Sequence, residues 1–510
     1  MPRTFEDKIK TLDELETMCR ALRAESKQIV HCHGVFDLMH PGHVRHFEAA
    51  RAEGDILIVT VTPDRFVNKG PGRPVFNERL RSETVAALGS VAFVAITESP
   101  SAEDVIHRLR PSVYVKGSDY ADAKDDLTGK IADERRAVEQ VGGRIHFTTE
   151  IAFSSSNLLN LHFDVYPEAA QGFLRDFRQR HSADEVISLL KDLQRLRILM
   201  VGETIIDEYH YVEALQKAPK ELLVTTRFVR EEHFAGGILA CANHAAGFCR
   251  QVDIVTVLGQ RDSREAFIRR QLKPNVAPRF FYREDTGTIV KRRFVERAFL
   301  NKMFEVSFLD EGDLPLSVTR AVEEHLARIL PEYDLVIVAD YGHGFLNRDL
   351  IRMLASESRF LAVNVQTNSA NLGYNLITKY PRADYVCIDE PEVRLAAHDN
   401  RSKLEEIVSR LAKDLSSRRV AITRGHNGCI SYAEPDGFFQ VPVLSREIVD
   451  RIGAGDAYLS VTAPCAAVGY HPEVVGFIGN AVGALAVRIV GNRTSVEPVP
   501  LFKFINALLQ

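Results

Sequence analysis

Two short stretches of this chain carry residue types and spacings suited to phosphate chemistry. In HGVFDLMHPGH, residues 33–43, His40 and His43 lie three apart, directly after an apolar run and at the start of a helical pattern. That spacing sets both imidazoles on one side of a first helical turn, beside free backbone N–H groups and the positive end of the helix dipole. Such a pair suits an α-phosphate under attack. Pro41 fits a first-turn position, and Gly42 admits close approach of a ligand to the backbone. In DRIGAGDAY, residues 450–458, the small residues Gly453, Ala454 and Gly455 open a helix and expose N–H groups as an anion hole, with Asp456 placed to take a proton from a hydroxyl. Alone, each stretch also reads as a plain turn.

The elements around them form an α/β pattern. IVHCHGVF, DILIVTVT, VAFVAIT and VYVKG read as strands, alternating with helices at PGHVRHFEAARAEG, NERLRSETVAALGS and AEDVIHRLR. Continuous apolar strands with short connections predict a doubly wound, largely parallel sheet over residues 1–165. Residues 166–194 are helical and polar, with a capping box at Ser182 and Glu185, and read as a connector. A second α/β region, 195–510, opens on ILMVGETIID and continues through QVDIVTVLG, DLVIVADYG, FLAVNV, YVCID and RRVAITRG.

At 510 residues the chain is long enough for two or three cores. Hydrophobic residues make up 45% and charged residues 26%, without an apolar run of membrane-spanning length. The charged amino terminus has neither a secretory nor a transit pattern, which leaves a cytoplasmic address as the expectation. Seven scattered cysteines, none in a C-x-x-C pair, read as free thiols, and a net charge of −5 argues against nucleic acid as a main partner.

Taken together, HGVFDLMHPGH, NKGPGRP, VYVKGSDY and FSSSNLLN resemble the cytidylyltransferase-like nucleotidyltransferases over most of residues 28–160. The nearest likeness is to the transferase half of bacterial enzymes that make ADP-heptose. The resemblance implies that His40 and His43 stabilise charge on the α-phosphate while a sugar phosphate attacks and pyrophosphate leaves, with Mg²⁺ shared among the phosphates. It places Phe36 and Asp37 of the first motif at the nucleotide, and Lys69 and Arg81 as phosphate-neutralising cations. Lys116, with Gly117 and Asp119, would line the nucleotide or sugar pocket, and Ser154, Ser155 and Ser156 would bind the β and γ phosphates. Lys69 and Arg81 also read as surface charges, and the serines as a helix cap. His33 stands where the family has asparagine, so the base stays open between ATP, the first choice, and CTP.

From VGETIID through AGGILACANHAAGF, ADYGHGFL, DEPE and TRGHNG to GAGD, residues 196–510 resemble ribokinase-like PfkB sugar kinases, and GTIVKRR adds a likeness to heptose-phosphate kinases. The fold implied is therefore a Rossmann-like transferase sheet followed by a ribokinase-like α/β domain. By this resemblance Asp456 is the catalytic base and Gly453, Ala454 and Gly455 the anion hole. Asp207, Gly236, Gly237 and Asn243 would bind the sugar, Lys291 and Arg293 a substrate phosphate, and Thr423 and Gly425 the nucleotide. Glu392 would organise Mg²⁺ through water. Local roles compete: Gly236 and Gly237 as a turn, Asp207 as a cap, Asn243 as a buried hydrogen-bonder. Asp389, Arg451, Asn364 and Gln366 depart from the pattern.

Both halves occur together in the heptose enzymes, there with the kinase first. The expectation is a bifunctional enzyme that phosphorylates a sugar or sugar phosphate such as heptose 7-phosphate and then forms a nucleoside diphosphate sugar from ATP, or CTP. The alternative is an active transferase whose second half is a sugar-phosphate-binding or dimerisation module; a third reading has two activities on unrelated substrates. A homodimer is implied by the resemblance, while composition and net charge argue against membrane or nucleic-acid partners.

Overall fold

A computed structural model describes residues 4–67, 73–117, 131–148, 166–215, 224–284, 286–309 and 312–510. The chain divides into two compact units, Met1–Val165 with Phe502–Gln510, and Tyr166–Leu501. Residues 502–510 thus group with the first unit, although the sequence pattern had attached them to the second.

The first unit is built on five parallel strands: β1 (Ile29–Gly34), β2 (Ile56–Val61), β3 (Phe93–Ile96), β4 (Val113–Gly117) and β5 (Arg144–Thr148), in the order β3-β2-β1-β4-β5. Apolar strands such as ILIVTV are buried on both faces because helices cover the sheet. The winding reverses between β1 and β4. In open α/β sheets that reversal leaves a crevice outside the carboxyl ends of the strands, and the loop from β1 to the helix Pro41–Ala52 opens there.

In the second unit the strands are β6 (Arg197–Gly202), β7 (Thr204–Ala214), β8 (Thr226–Gly237), β9 (Gln251–Gly259), β10 (Val276–Arg283), β11 (Ile289–Glu296), β12 (Lys302–Phe308), β13 (Leu335–Asp340), β14 (Leu361–Val365), β15 (Tyr385–Asp389), β16 (Arg419–Thr423), β17 (Cys429–Ala433) and β18 (Gly437–Val441). Nine of them form one sheet, β10-β9-β6-β13-β14-β15-β16-β17-β18, parallel through β16 and closed by an antiparallel hairpin. The other four form a small sheet, β12-β11-β7-β8.

ILMVGETIID, expected as one strand, is divided between the two sheets at Glu203. Just before it, a Cβ on Gly202 would stand 2.3 Å from the Ala339 carbonyl oxygen, so β6 and β13 approach as only glycine allows. The helices Glu168–Arg178 and Ala183–Asp192, expected as a connector, pack into the second unit. Phe177 stacks on Phe477 at 4.5 Å, Arg180 pairs with Glu473 at 2.8 Å, and the Tyr470 hydroxyl donates to the Leu189 carbonyl at 2.8 Å. The amphipathic face of Ala170, Leu174 and Phe177 is the cause. Ser182 caps the second of these helices by accepting from the Glu185 N–H at 3.1 Å.

Candidate functional site

In the first unit His40 is the N-cap residue of the helix Pro41–Ala52, and its Nδ1 accepts the Gly42 N–H at 3.1 Å. A neutral His40 then carries its proton on Nε2, as a donor. The His40 and His43 rings lie 3.9 Å apart between centroids, and Phe36 meets His43 edge-on at 5.8 Å. Phe36 and Leu38 hold φ of 48° and 27°, a left-handed turn that costs roughly 1–3 kcal/mol per non-glycine residue. Two imidazoles and a helix N-terminus at a sheet's switch point can together hold a phosphate.

Other expected residues of this unit do different work. Asp37 is buried and accepts from the N–H groups of Val75 (2.9 Å) and Phe76 (3.2 Å), so it anchors that loop rather than facing a nucleotide. Arg81, 1% exposed, donates to the carbonyls of Phe76, Val35 and Thr62 and pairs with Asp64 at 2.5 Å. Its donors are spent inside the fold, which corrects the phosphate-neutralising expectation. Lys116 ends β4 with its ammonium 3.0 Å from Glu134. His33, half-buried, joins a hydrogen-bonded chain: Nδ1 meets the Thr60 hydroxyl at 2.9 Å and Nε2 the Thr62 hydroxyl at 3.2 Å, while Thr60 also bonds His31 at 2.8 Å. Burial, then Lys116, pushes His31 down to about 3 and His46 to about 4. Lys69, Asp119, Ser154, Ser155 and Ser156 lie outside the described residues.

In the second unit the helix Ala454–Val468 begins at Gly453, whose φ of 81° starts it in the left-handed region. A Cβ on Gly455 would meet nothing within 4 Å, so the first turn opens onto free space. Asp456 follows. The Tyr341 hydroxyl donates to its Oδ1 at 2.8 Å, and burial raises the carboxyl to about 6 against that hydrogen bond. Tyr341 in turn lies 3.8 Å from the Cys241 sulfur. Both oxygens of buried Glu203 hold the tyrosine's segment, accepting the N–H groups of Tyr341 and His343 at 3.0 Å each.

The small sheet brings Asp207, Lys291 and Arg293 together, because β7 and β11 pair Asp207 with Lys291 in register. Arg293 is bound to Asp207 and, at 2.8 Å, to Glu305, so its charge is already balanced, which corrects the phosphate clamp expected of it. Lys291 is 9% exposed, and burial pushes its ammonium below the ordinary lysine value despite Glu305 and Asp207. Gly236 has a steric reason: a Cβ there would stand 2.1 Å from Asp207 Oδ2. Gly237 ends β8 at the start of the next helix.

Asn243 does not join the site. Its amide donates to the Gln271 carbonyl and its oxygen accepts the Lys273 N–H, both at 3.0 Å, tethering a loop. Cys241, two positions earlier and so about 200° round the helix, reaches Tyr341 instead. Thr423 and Gly425 stand at the end of β16, on the edge where β13, β14 and β15 also finish.

Glu392 does not fit the Mg²⁺ expectation. Its oxygens accept the N–H groups of Thr367 (3.0 Å) and Asp389 (2.9 Å) in a capping box, and burial with the neighbouring Asp389 pushes its carboxyl up. Among the described residues no three His, Cys, Asp or Glu side chains form a metal cage. Asn364 donates to the Cys387 carbonyl at 2.7 Å. Tyr341, Cys241 and Glu203 fall within ADYGHGFL, AGGILACANHAAGF and VGETIID, but spacing does not encode side-chain direction across a strand end.

The second unit's parallel core, small four-stranded sheet and glycine turn at a helix start define a sugar-kinase class of α/β fold, and the first unit's sheet a nucleotidyltransferase class. The model of the pfkB family carbohydrate kinases matches residues 195–499 and the cytidylyltransferase-like model residues 31–161. The chain belongs to the pfkB carbohydrate kinase family, with a cytidylyltransferase-like domain ahead of the kinase domain. It is similar to the bifunctional protein HldE of Aliarcobacter butzleri (40% identity over 138 residues, 27% of this chain and 29% of the relative). It is also similar to that of Trichlorobacter lovleyi (34% over 169 residues, 32% and 33%). The match spans about a third of the length of these curated relatives. Escherichia coli phosphofructokinase-2 in complex with potassium shares the fold, with a TM-score of 0.52 and 15% identity over 62% of this chain and all of that one.

Proposed function

We propose that the chain is a bifunctional enzyme of nucleotide-sugar synthesis. The second unit phosphorylates a sugar or sugar phosphate, and the first couples a sugar 1-phosphate to the nucleotidyl group of ATP, or CTP, with release of pyrophosphate. Heptose 7-phosphate and ADP-heptose are the models, with the kinase placed second in the chain. The observation that carries the kinase half is the Asp456 carboxylate, held by Tyr341 beside the open Gly455 turn and influenced by Lys291.

In that reading the sugar hydroxyl gives its proton to Oδ2 of Asp456 as its oxygen bonds to the γ-phosphorus; the bond from that phosphorus to the bridging oxygen breaks and ADP leaves. The N–H groups of the 453–456 turn take up the charge on the transferring group. In the first unit a sugar-phosphate oxygen bonds to the α-phosphorus, the bond to the β-phosphate oxygen breaks, and the Nε2 proton of His40, with His43, stabilises the charge. Mg²⁺ supplies charge neutralisation when it arrives with the triphosphate. A homodimer working in the cytoplasm completes the proposal.

The reading of the second unit as a binding module draws support from Glu392, whose oxygens are engaged by backbone. Phosphorus NMR with ATP, CTP, Mg²⁺ and a panel of sugar phosphates led by heptose 7-phosphate separates the two. A new sugar phosphate that forms with the wild type and with His43→Ala, but not with Asp456→Asn, supports the kinase. If no sugar is phosphorylated while a supplied sugar 1-phosphate still yields pyrophosphate, the kinase half of the proposal is wrong.

A further inference from the structure

Asp450 lies three residues ahead of the glycine turn and has no step of its own in the reaction above. It is 4% exposed, and four donors from separate parts of the second unit converge on its carboxylate. The Tyr209 hydroxyl of β7 donates to Oδ2 at 2.7 Å, and the Gly491 N–H to the same oxygen at 2.9 Å. The Lys302 ammonium of β12 donates to Oδ1 at 2.6 Å, and the Ile452 N–H to Oδ1 at 3.1 Å. Burial alone would push this carboxyl up, but Lys302, the two N–H groups and Tyr209 hold it below its ordinary value, so it stays ionised across the neutral range.

Two of the four donors stand on the small sheet, which also carries Asp207, Lys291 and Arg293; the other two belong to the turn and to the 491–493 loop. That loop closes the circuit. Asn492 donates to Asp207 Oδ2 at 3.3 Å, and a Cβ on Gly453 would stand 2.2 Å from Asn492 Oδ1. The small sheet and the nine-stranded sheet are separate hydrogen-bonded sheets, so side-chain joints of this kind, rather than a strand ladder, must register one against the other.

We propose that Asp450 is a positioning residue that ties the sugar seat on the four-stranded sheet to the anion-hole turn, so that occupation of one seat steadies the other. The proposal rests on the kinase reading of this unit. By linkage, a sugar that orders the sheet then tightens binding of the phosphoryl donor, and the donor tightens binding of the sugar by the same factor.

The test uses the full chain as wild type, Lys302→Met, Lys302→Arg, Asp450→Asn and the double variant Lys302→Met/Asp450→Asn. Calorimetry measures AMP-PNP binding with and without heptose 7-phosphate. The wild type should bind the analogue at least fivefold more tightly with the sugar present; Lys302→Met and Asp450→Asn should lose that gain, and Lys302→Arg should restore part of it. In steady-state assays at saturating sugar each loss should raise KM for ATP about fivefold, in step with the lost gain in affinity, and lower kcat, and the double variant should be no worse than the worse single variant. Hydrogen exchange adds a readout independent of turnover: in Lys302→Met, residues 204–214 and 450–456 should lose protection together. Should Asp450→Asn fail to fold, Lys302→Met carries the test, since that side chain is 30% exposed. The proposal is overturned if the turn keeps its protection while β12 loosens, or if the two single effects add. Absent phosphorylation by the wild type with coupled exchange intact would instead overturn the kinase reading and leave the joint standing.

Discussion

The hydroxyl of Tyr341 donates to Oδ1 of Asp456 at 2.8 Å, joining the segment after β13 to the first turn of the helix that opens at Gly453. That bond fixes the orientation of the carboxylate at the head of the helix. Burial keeps the tyrosine's own proton in place far above its ordinary range, so the direction of this bond does not reverse at working pH. Removing the donor in Tyr341→Phe should raise the Asp456 carboxyl above its value of about 6, because a hydrogen bond to the ionised form is lost. A base must be ionised to work. The acid limb of kcat/KM for phosphorylation should therefore move up by about one pH unit, with activity at pH 6.5 falling more than at pH 8.5.

The same raised value has a consequence for stability. The Asp456 carboxyl titrates at about 6 when folded, against an ordinary 3.8, so between those values the folded chain binds more protons than the unfolded one. Stability is full below the lower value, falls as pH rises through this window, and is level above it. Asp456→Asn should thus be more stable than the wild type above pH 6, by an amount on the order of 3 kcal/mol, with the difference vanishing near pH 4. Denaturant unfolding at pH 4, 6 and 8 measures it.

His40 both caps a helix and presents a donor, and two substitutions separate these tasks. His40→Asn keeps a good cap and should leave thermal stability near wild type, whereas His40→Ala should cost about 1 kcal/mol. Both remove the Nε2 proton, and both should lower nucleotidyl transfer at least 100-fold while phosphorylation by the second unit is unchanged. Equal transfer rates in His40→Asn and wild type would remove this histidine from the chemistry.

Two glycines near the sugar-kinase site should respond in opposite ways. Gly236→Ala places a methyl 2.1 Å from Asp207 Oδ2, so the carboxylate must move and its pairing with Arg293 breaks; stability and sugar KM should both suffer, KM by at least tenfold. Gly455→Ala meets nothing within 4 Å, and should leave the melting temperature within a degree or two while lowering kcat at least tenfold, because its methyl enters the space the turn's N–H groups face.

Much of this arrangement was legible in the amino-acid order. Strands such as ILIVTV and LVIVAD are apolar throughout because both faces are covered, and HPGH and GAGD sit where strand ends meet helix starts. The doubly wound pattern and the helix caps follow from local rules of periodicity and turn chemistry. So does the likeness to two families, since each motif is contiguous.

What a charged or polar side chain does was decided only in three dimensions. Arg81 and Lys291 look alike as basic residues within motifs, yet Arg81 is consumed by three carbonyls and Asp64, while Lys291 stands across the strand pair from Asp207. Arg293, Asn243 and Glu392 likewise carry the expected residue types but are engaged by Asp207 and Glu305, by a loop backbone, and by a capping box. Tyr341, Cys241 and Asp450 gain their places from partners about 40 to 240 positions away. Amino-acid order was enough for the two α/β folds and the positions of their glycine- and histidine-bearing turns, because backbone propensity and apolar pattern act locally. Tertiary structure alone decided which donors and charges remain available at those turns, because hydrogen-bond partners are allotted by packing between elements distant in the chain.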